Sequence, residues 1–430
     1  MNTTVYFSGG SHRATLGGIG AILYLLDSTG VYCWNDVDEM VGVSGGSQPI
    51  AALAAAEASS ESDVSETMRR LYLAIDADRL TLSTPRRRLI VATIAVAATL
   101  PVTLWVALTL LFIPALIAFP AGLITVAFVY RVVSWLLSKL QEDYVRTVLS
   151  SAAGNPSLVD SHLKDLPDTT VHYSIVSAGV DTGRMYRAWI GSEHPTVGGS
   201  EYMNAVSPVH ASVASSSLPP TGRLRPPAAL STGKAPAHNE ILIDGGVGGN
   251  FGLQITNDIT KSIVTGKAGA ATRRVLALDA GRRVKQAPSR LRMISTVARL
   301  MRWVQLSNDA TYANDLEDLK DLTSAATAGS IDVATGYDAA TLSPVEAQQL
   351  LAVQANANLD IFKLGADTIP LAVACGVIGA LLTDAATHNK MAAKGAPITV
   401  TMADAKHALD DAAKRLGTNV DLADKWSNVT

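Results

Sequence analysis

No charged residue occurs in the 42 positions from Leu89 to Tyr130, which read LIVATIAVAATLPVTLWVALTLLFIPALIAFPAGLITVAFVY. As one α-helix this run would extend about 60 Å, roughly twice the hydrocarbon thickness of a bilayer. Two spans joined by a tight turn fit that thickness. Pro114 and Pro120 flank ALIAF near the middle, where such a hairpin has to reverse. Positive charge lies on both sides, with Arg86, Arg87 and Arg88 before the run and Arg131 and Lys139 after it. Tyr130 and Trp135 stand where interfacial aromatics belong. The expectation is a two-helix transmembrane hairpin at about 89–137 whose ends both return to the cytoplasmic face. The alternative is a pair of buried core helices in a soluble domain.

The rest of the chain, 430 residues in all, has the length of one large domain with an insertion. A formal net charge of -3 argues against a general affinity for nucleic acid. Cys33 and Cys375 lie far apart in sequence, which suits a reducing compartment better than a disulfide framework. The opening MNTTVYFSGG has neither the basic nor the apolar region of a signal peptide. Thr3–Phe7 and Met40–Val43 read as strands, as do Val171–Val180, Met185–Ile190, Glu240–Ile243 and Arg274–Leu278. Leu16, Ile19, Leu23 and Leu26 recur at helical spacing up to Gly30, a C-cap candidate, and another helix starts at Gln48–Ala56. Alternating strands and helices predict an α/β sandwich with a largely parallel sheet. The stretch from Ser215 to His238 is rich in Pro, Ser and Gly and reads as loop, and from Asp309 onward the chain reads as mainly helical. Ile369–Leu382 is apolar but short, which suits a buried helix rather than a third span. At 281–308, seven basic and no acidic residues accompany Leu291, Ile294, Val297, Met301 and Val304 at helical spacing. That pattern suits anionic headgroups, or an ordinary solvated surface helix.

Four short stretches carry chemistry. Val41-Gly42-Val43-Ser44-Gly45-Gly46-Ser47 is a G-x-S-x-G sequence between an apolar run and an alanine-rich one. A serine on so sharp a strand-to-helix turn needs Gly42 and Gly46, because side chains there would collide. Ser8-Gly9-Gly10-Ser11-His12-Arg13 is a glycine turn between a strand and a helix, able to aim N–H groups at a developing oxyanion. Ala214-Ser215-Ser216-Ser217-Leu218-Pro219 follows, and Ile243-Asp244-Gly245-Gly246, with Asn250 after it, carries a carboxylate out of a strand. Taken singly, Ser44 could be a helix N-cap and Asp244 an Asp-Gly turn residue.

In this order the stretches resemble those of the patatin-like phospholipases. That family is marked by a glycine-rich oxyanion turn with a basic residue, a G-x-S-x-G elbow, an A-S-x-x-x-P loop and a D-G-G/A motif. The resemblance covers roughly 1–60 and 165–255. It implies a patatin-like three-layer α/β/α sandwich carrying the inserted hairpin, with a mainly helical C-terminal part. It further implies Ser44 as nucleophile, Asp244 as its partner, and an oxyanion hole at Gly9, Gly10, Ser11 and Arg13. Ser11 stands where the family has a third glycine, and Ala14 follows the arginine where glycine is usual. The expected organisation is a catalytic domain in two parts, 1–60 and 166–310. A helical insertion at 61–165 separates them, and a helical part at 311–430 follows.

Acyl transfer needs a nucleophilic oxygen, a base and donors for the oxyanion. An ordinary aspartate is a weak base, so Asp244 would need a desolvated setting. A Ser-Asp-His triad in this chain order would have to draw on His388 or His407, while His12 and His210 read as loop or packing residues. No metal-ligand spacing occurs and no cofactor is expected. The expectation is a Ser-Asp acyl hydrolase of membrane phospholipid or another acyl lipid. It would be anchored in a membrane, a bacterial inner membrane, with its catalytic domain on the cytoplasmic side. The alternatives are a non-catalytic membrane scaffold and a soluble esterase with an apolar lid.

Overall fold

A computed structural model describes residues 3–59, 63–81, 115–179, 185–190, 201–203, 206–217, 242–247, 274–280, 327–332, 368–391, 398–417 and 421–427. Strand β1 (Thr3–Phe7) turns through Ser8–Gly10 into α1 (Ser11–Asp27). Strand β2 (Val37–Val43) turns over Ser44–Gly46 into α2 (Ser47–Ala58). Helix α2 is alanine-rich and buried along nearly its whole length, so it has no polar face to show. Next come α3 (Val64–Thr81), the 39-residue α4 (Ala115–Ala153) and the short α5 (Pro156–Asp160). Strands β3 (His172–Gly179), β4 (Met185–Ile190) and β5 (Glu201–Met203) lead to α6 (Pro208–Ser215). The Ser207 hydroxyl caps α6 by accepting from the His210 N–H, and Pro208 takes the first turn. Strands β6 (Leu242–Asp244), β7 (Arg274–Asp279) and β8 (Thr327–Asp332) precede three helices, α7 (Thr368–Met391), α8 (Met402–Leu416) and α9 (Leu422–Ser427).

The strands form one sheet in the order β5-β4-β3-β2-β1-β7-β8, with β6 also on β3. Pairing is parallel except where β3 meets β4 and β6, so the sheet is mainly parallel, as expected. One face, including Phe7, Met40, Ile175 and Leu278, merges with the apolar sides of the described helices in a core that reaches from Val5 to Trp426. The other carries Tyr6, Val41, Val43, Val176, Val275 and Ala277, all buried. The helical layer expected over that second face lies outside the described residues.

Helices α1 and α7 meet backbone to backbone. A Cβ on Gly20 would come within 2.1 Å of the Val373 carbonyl oxygen, and one on Gly376 within 2.1 Å of that of Gly17. The same pair is clipped by Asp384 of α7, which accepts from the Tyr24 hydroxyl (2.9 Å), the Ser28 hydroxyl (3.3 Å) and the Tyr32 N–H (2.9 Å). Helix α7 is long and apolar enough to cross a membrane, but 94% of its apolar window is buried inside the protein, as a core helix requires. Helix α4 differs along its length. Phe128 and Trp135 are about two-thirds exposed, whereas Val145, Val148, Leu149 and Ala152 are buried in the core.

Several sequence expectations are corrected. Helix α1 ends at Asp27 with Ser28 extended, and Gly30 is instead small because the Asp384 carboxylate fills the space beside it. The chain is already helical at Ala115 and runs straight through Pro120, so the expected reversal does not lie within ALIAF. A proline near a helix start forfeits one hydrogen bond, which a long helix tolerates. The first half of the expected hairpin, 89–114, lies outside the described residues, as do 281–308, Asn250 and everything after Ser217 in the stretch read as loop. Strand β8 falls within the part read as helical: TAGSID lacks strand-like alternation and, among the described residues, pairs only with β7.

On the second sheet face, β2, β3 and β4 share a buried ion pair. Arg187, with no exposed surface, binds Glu39, donates to Ser174 Oγ at 2.7 Å and lies 4.1 Å over the Trp189 ring. Arg187→Met leaves Glu39 without its counter-charge and is expected to cost about 3–5 kcal/mol in urea denaturation. Adding Glu39→Leu should recover most of that loss, since desolvation of the pair opposes its attraction. A single variant within about 1 kcal/mol of the parent would refute this account.

Candidate active site

The site is built where one strand gives way to another along β3. Val43, the last residue of β2, pairs with Val176, and Asp244, the last residue of β6, pairs with Ser177. Strand β2 must therefore leave the sheet at once, and it does so at Ser44. Ser44 has φ 54, the one positive value at a non-glycine among the described residues. That conformation costs roughly 1–2 kcal/mol for an L-residue. The turn is as crowded as its glycines suggest. A Cβ on Gly42 would lie 2.6 Å from the Gly46 carbonyl oxygen, and one on Gly46 2.7 Å from that of Phe7.

Hydroxyls hold the strained peptide from both sides. Ser215 Oγ accepts from the Ser44 N–H at 2.8 Å and donates to the Val176 carbonyl at 2.6 Å. Ser47 Oγ donates to the Ser44 carbonyl at 2.5 Å, so its own lone pair accepts from Ser212 Oγ at 2.8 Å. Ser212 and Ser215 stand one turn apart on α6. Thr15 Oγ1, from the first turns of α1, donates to the Gly45 carbonyl at 2.8 Å.

Ser44 Oγ donates to Asp244 Oδ2 at 2.7 Å. It does not cap α2, so the simpler reading of this serine is not the one adopted. Asp244 Oδ1 accepts from the Gly246 N–H at 2.8 Å, the local turn bond an Asp-Gly pair is expected to make. The Asp244 N–H is held by the Ser217 carbonyl at 2.8 Å. Gly245 has to be glycine, because a Cβ would lie 2.4 Å from the Val176 oxygen. Both functional side chains keep 6% of their surface exposed. Desolvation pushes the Asp244 carboxyl up to about 6, against the two hydrogen bonds that favour its ionised form. At neutral pH it is ionised yet far more basic than an ordinary aspartate.

The glycine turn abuts the elbow, since the same added Cβ on Gly46 would lie 2.8 Å from the Ser8 carbonyl oxygen. Gly10 has Ala280 behind it, with a Cβ position only 2.6 Å from that carbonyl. Among the described residues no group accepts from the N–H of Gly9 or Gly10. Ser11 begins α1, so its backbone N–H belongs to the positive end of that helix. Arg13 ties the turn to the sheet: its guanidinium donates twice to the Ala280 carbonyl, from Nε at 2.9 Å and from Nη2. The Ala280 N–H donates to Ser8 Oγ at 2.7 Å.

No histidine binds Asp244 or Ser44 among the described residues. His407 is 80% exposed and faces Asp411, and the Nδ1 of His388 is buried with no partner among the described residues. His12 meets the Tyr144 hydroxyl at 3.2 Å, and His210 meets Ser207. Among the described residues no three acidic, His or Cys side chains converge as metal ligands. Sequence reasoning marks the serine-rich stretch but gives no role to Ser215 or Ser217, and it misses Ser47, Ser212 and Thr15. The available signal was two serines, three apart, on a helix that is apolar apart from them and His210.

The raised Asp244 carboxyl has a cost with a definite sign. The protonated form is favoured by the fold, so its stabilisation is present below pH about 4 and is lost as pH rises through about 6. At pH 8 ionised Asp244 should destabilise the protein by about 3 kcal/mol relative to a neutral group, from a shift of about two units. Asp244→Asn is therefore expected to be more stable than the parent at pH 8, with the difference fading at pH 4. Urea denaturation at the two pH values measures it, and a less stable variant at pH 8 would contradict the desolvated-base account.

No known protein-family profile matches the chain, and no curated protein does. Among solved structures it is similar to human GIVD cytosolic phospholipase A2, at 12% sequence identity and a TM-score of 0.37. That match covers 96% of this chain and 60% of the other.

Proposed function

We propose that this protein is a serine acyl hydrolase that cleaves acyl esters of membrane lipids, glycerophospholipids among them, with Ser44 as nucleophile and Asp244 as base. The observation that carries this reading is the 2.7 Å hydrogen bond from a strained, buried serine to a desolvated aspartate. Strain and an unusually basic carboxylate both cost stability, and such costs cluster at reactive sites. In the proposed reaction Ser44 Oγ attacks the ester carbonyl carbon while its proton passes to Asp244. The oxyanion is met by the N–H groups of Gly9 and Gly10 and by the positive end of α1. Collapse breaks the acyl–oxygen bond, and Asp244 returns the proton to the departing lysolipid oxygen. Water, deprotonated by Asp244, then attacks the acyl-serine, and the Ser44–acyl bond breaks as Asp244 returns the proton to Ser44 Oγ, releasing the fatty acid.

The apolar run that ends in the first half of α4 supplies the membrane part of the proposal. Anchored there, on the cytoplasmic face, the site would sit beside its substrate. Drawing an acyl chain into water costs about 0.8 kcal/mol per CH₂, so a site at the interface gains by shortening that path.

Ser44→Ala and Asp244→Asn should each lower hydrolysis of mixed phospholipid vesicles by at least about a thousandfold, since residues acting as one unit give similar losses. His388→Ala and His407→Ala should stay within about threefold of the parent. Product analysis by mass spectrometry decides among the readings. Loss of activity in a histidine variant would replace the dyad with a triad, and an inert parent that no active-site phosphonate labels would leave a scaffold. Replacing Leu89–Tyr130 with a Gly/Ser linker should spare a short-chain soluble ester and lower vesicle activity by at least about tenfold. Undiminished vesicle activity would leave the apolar run no part in substrate delivery.

A further inference from the structure

Three consecutive serines at the end of α6 each hold a different part of the protein. Ser215 Oγ grips the Ser44 N–H, and the Ser217 carbonyl grips the Asp244 N–H. Ser216, between them, is gripped from outside. Gln141 of α4 donates from Nε2 to both the Ser216 carbonyl and Ser216 Oγ, at 3.0 Å each. Ser216 Oγ in turn donates to the carbonyl of Ser212 at 2.8 Å, the residue whose hydroxyl supports Ser47. Every bond that fixes the elbow from α6 is thus within one residue or one helical turn of the Gln141 contact.

Gln141 lies only six positions beyond Trp135, on the helix whose residues 115–130 carry no charge. At 1.5 Å per residue that is about 9 Å along a stiff rod. Phe128 and Trp135 stand 66% and 65% exposed above it. A second polar approach joins α4 to α6, from Glu142 to His210 at 3.9 Å. Burial lowers the His210 pKa, so at neutral pH that imidazole is uncharged and the approach is no ion pair. Gln141 supplies short hydrogen bonds across this contact. One turn further on, the Tyr144 hydroxyl meets His12, two residues past Gly10, so the same helix also touches the flank of the glycine turn.

We infer that Gln141 is a positioning residue through which seating of α4 in a lipid surface sets the geometry of Ser44 and Asp244. The inference rests on the acyl-hydrolase reading. A lipid surface can shift such an equilibrium only if it favours one pose of α4, and exposed Phe128 and Trp135 provide that preference. Couplings of this kind commonly change a site's behaviour by about 5- to 150-fold.

The test follows the rate at which a water-soluble fluorophosphonate labels Ser44. The full chain is held in amphipol and then in vesicles of non-hydrolysable diether phosphatidylcholine and phosphatidylglycerol. The probe needs no extraction from the bilayer, so a change in rate reflects the site rather than substrate delivery. The parent is expected to react at least about fivefold faster in vesicles. Gln141→Leu should keep the amphipol rate within about twofold and insert in vesicles equally well, yet lose most of the enhancement. Gln141→Lys, which restores a donor, should regain part of it. Equal enhancement in parent and Gln141→Leu, or a parent indifferent to vesicles, removes this inference alone. Failure of Ser44 to label under any condition overturns the acyl-hydrolase reading and the inference with it.

Discussion

The site depends on β3 serving two strands in succession. Parallel pairing with β2 stops at Val176, and antiparallel pairing with β6 begins at Ser177. Two residues 200 apart in sequence are thereby brought end to end. The crowding at Gly42, Gly46 and Gly245 follows from that handover, because two chains leave one strand edge within two residues of each other. So does the left-handed backbone of Ser44, which is what turns the chain sharply enough to clear β6.

Such a junction is unfavourable in itself. Left-handed serine backbone, an ionised carboxylate away from water and several buried hydroxyls each cost free energy. The surrounding structure offsets this by leaving little unsatisfied at the turn. The N–H and the carbonyl of Ser44 both end on serine hydroxyls, and the turn upstream is tied by Arg13 and Ser8 to Ala280. Among the described residues Asp244 meets a hydroxyl and a peptide N–H and no cation that would lower its proton affinity. A paired arginine would make the fold more stable and the carboxylate a poorer base.

How much of this is legible in the sequence follows from the range of the interactions. The elbow, the aspartate turn and the glycine turn are local devices, each a few residues long and demanded by the backbone itself, so Ser44, Asp244 and Gly10 stand out in the amino-acid order alone. The serine clamp does not, because whether Ser215 faces Ser44 depends on the register of strands and helices about 170 residues apart. Arg13 is legible as a basic residue near the turn but not as a tether, since its partner Ala280 lies 267 positions away. Gly30 and Pro120 mislead for the opposite reason. Each carries a strong local signal, and tertiary context outweighs it: the Asp384 carboxylate at Gly30, and the length of α4 at Pro120.

The close contact between α1 and α7 has a consequence in time. Helix α1 leads out of the glycine turn, yet the groove it needs, lined by Val373 and Gly376, is encoded roughly 350 residues later. At about 5–20 residues per second, that segment leaves the ribosome some 20–70 s after α1 does. Ala280, which pins the glycine turn, is also late. A nascent chain therefore carries Ser44 long before it can hold it in the strained turn of the folded protein. The turn at Ser44 gains its last supports only once Ala280 and α7 have both been made.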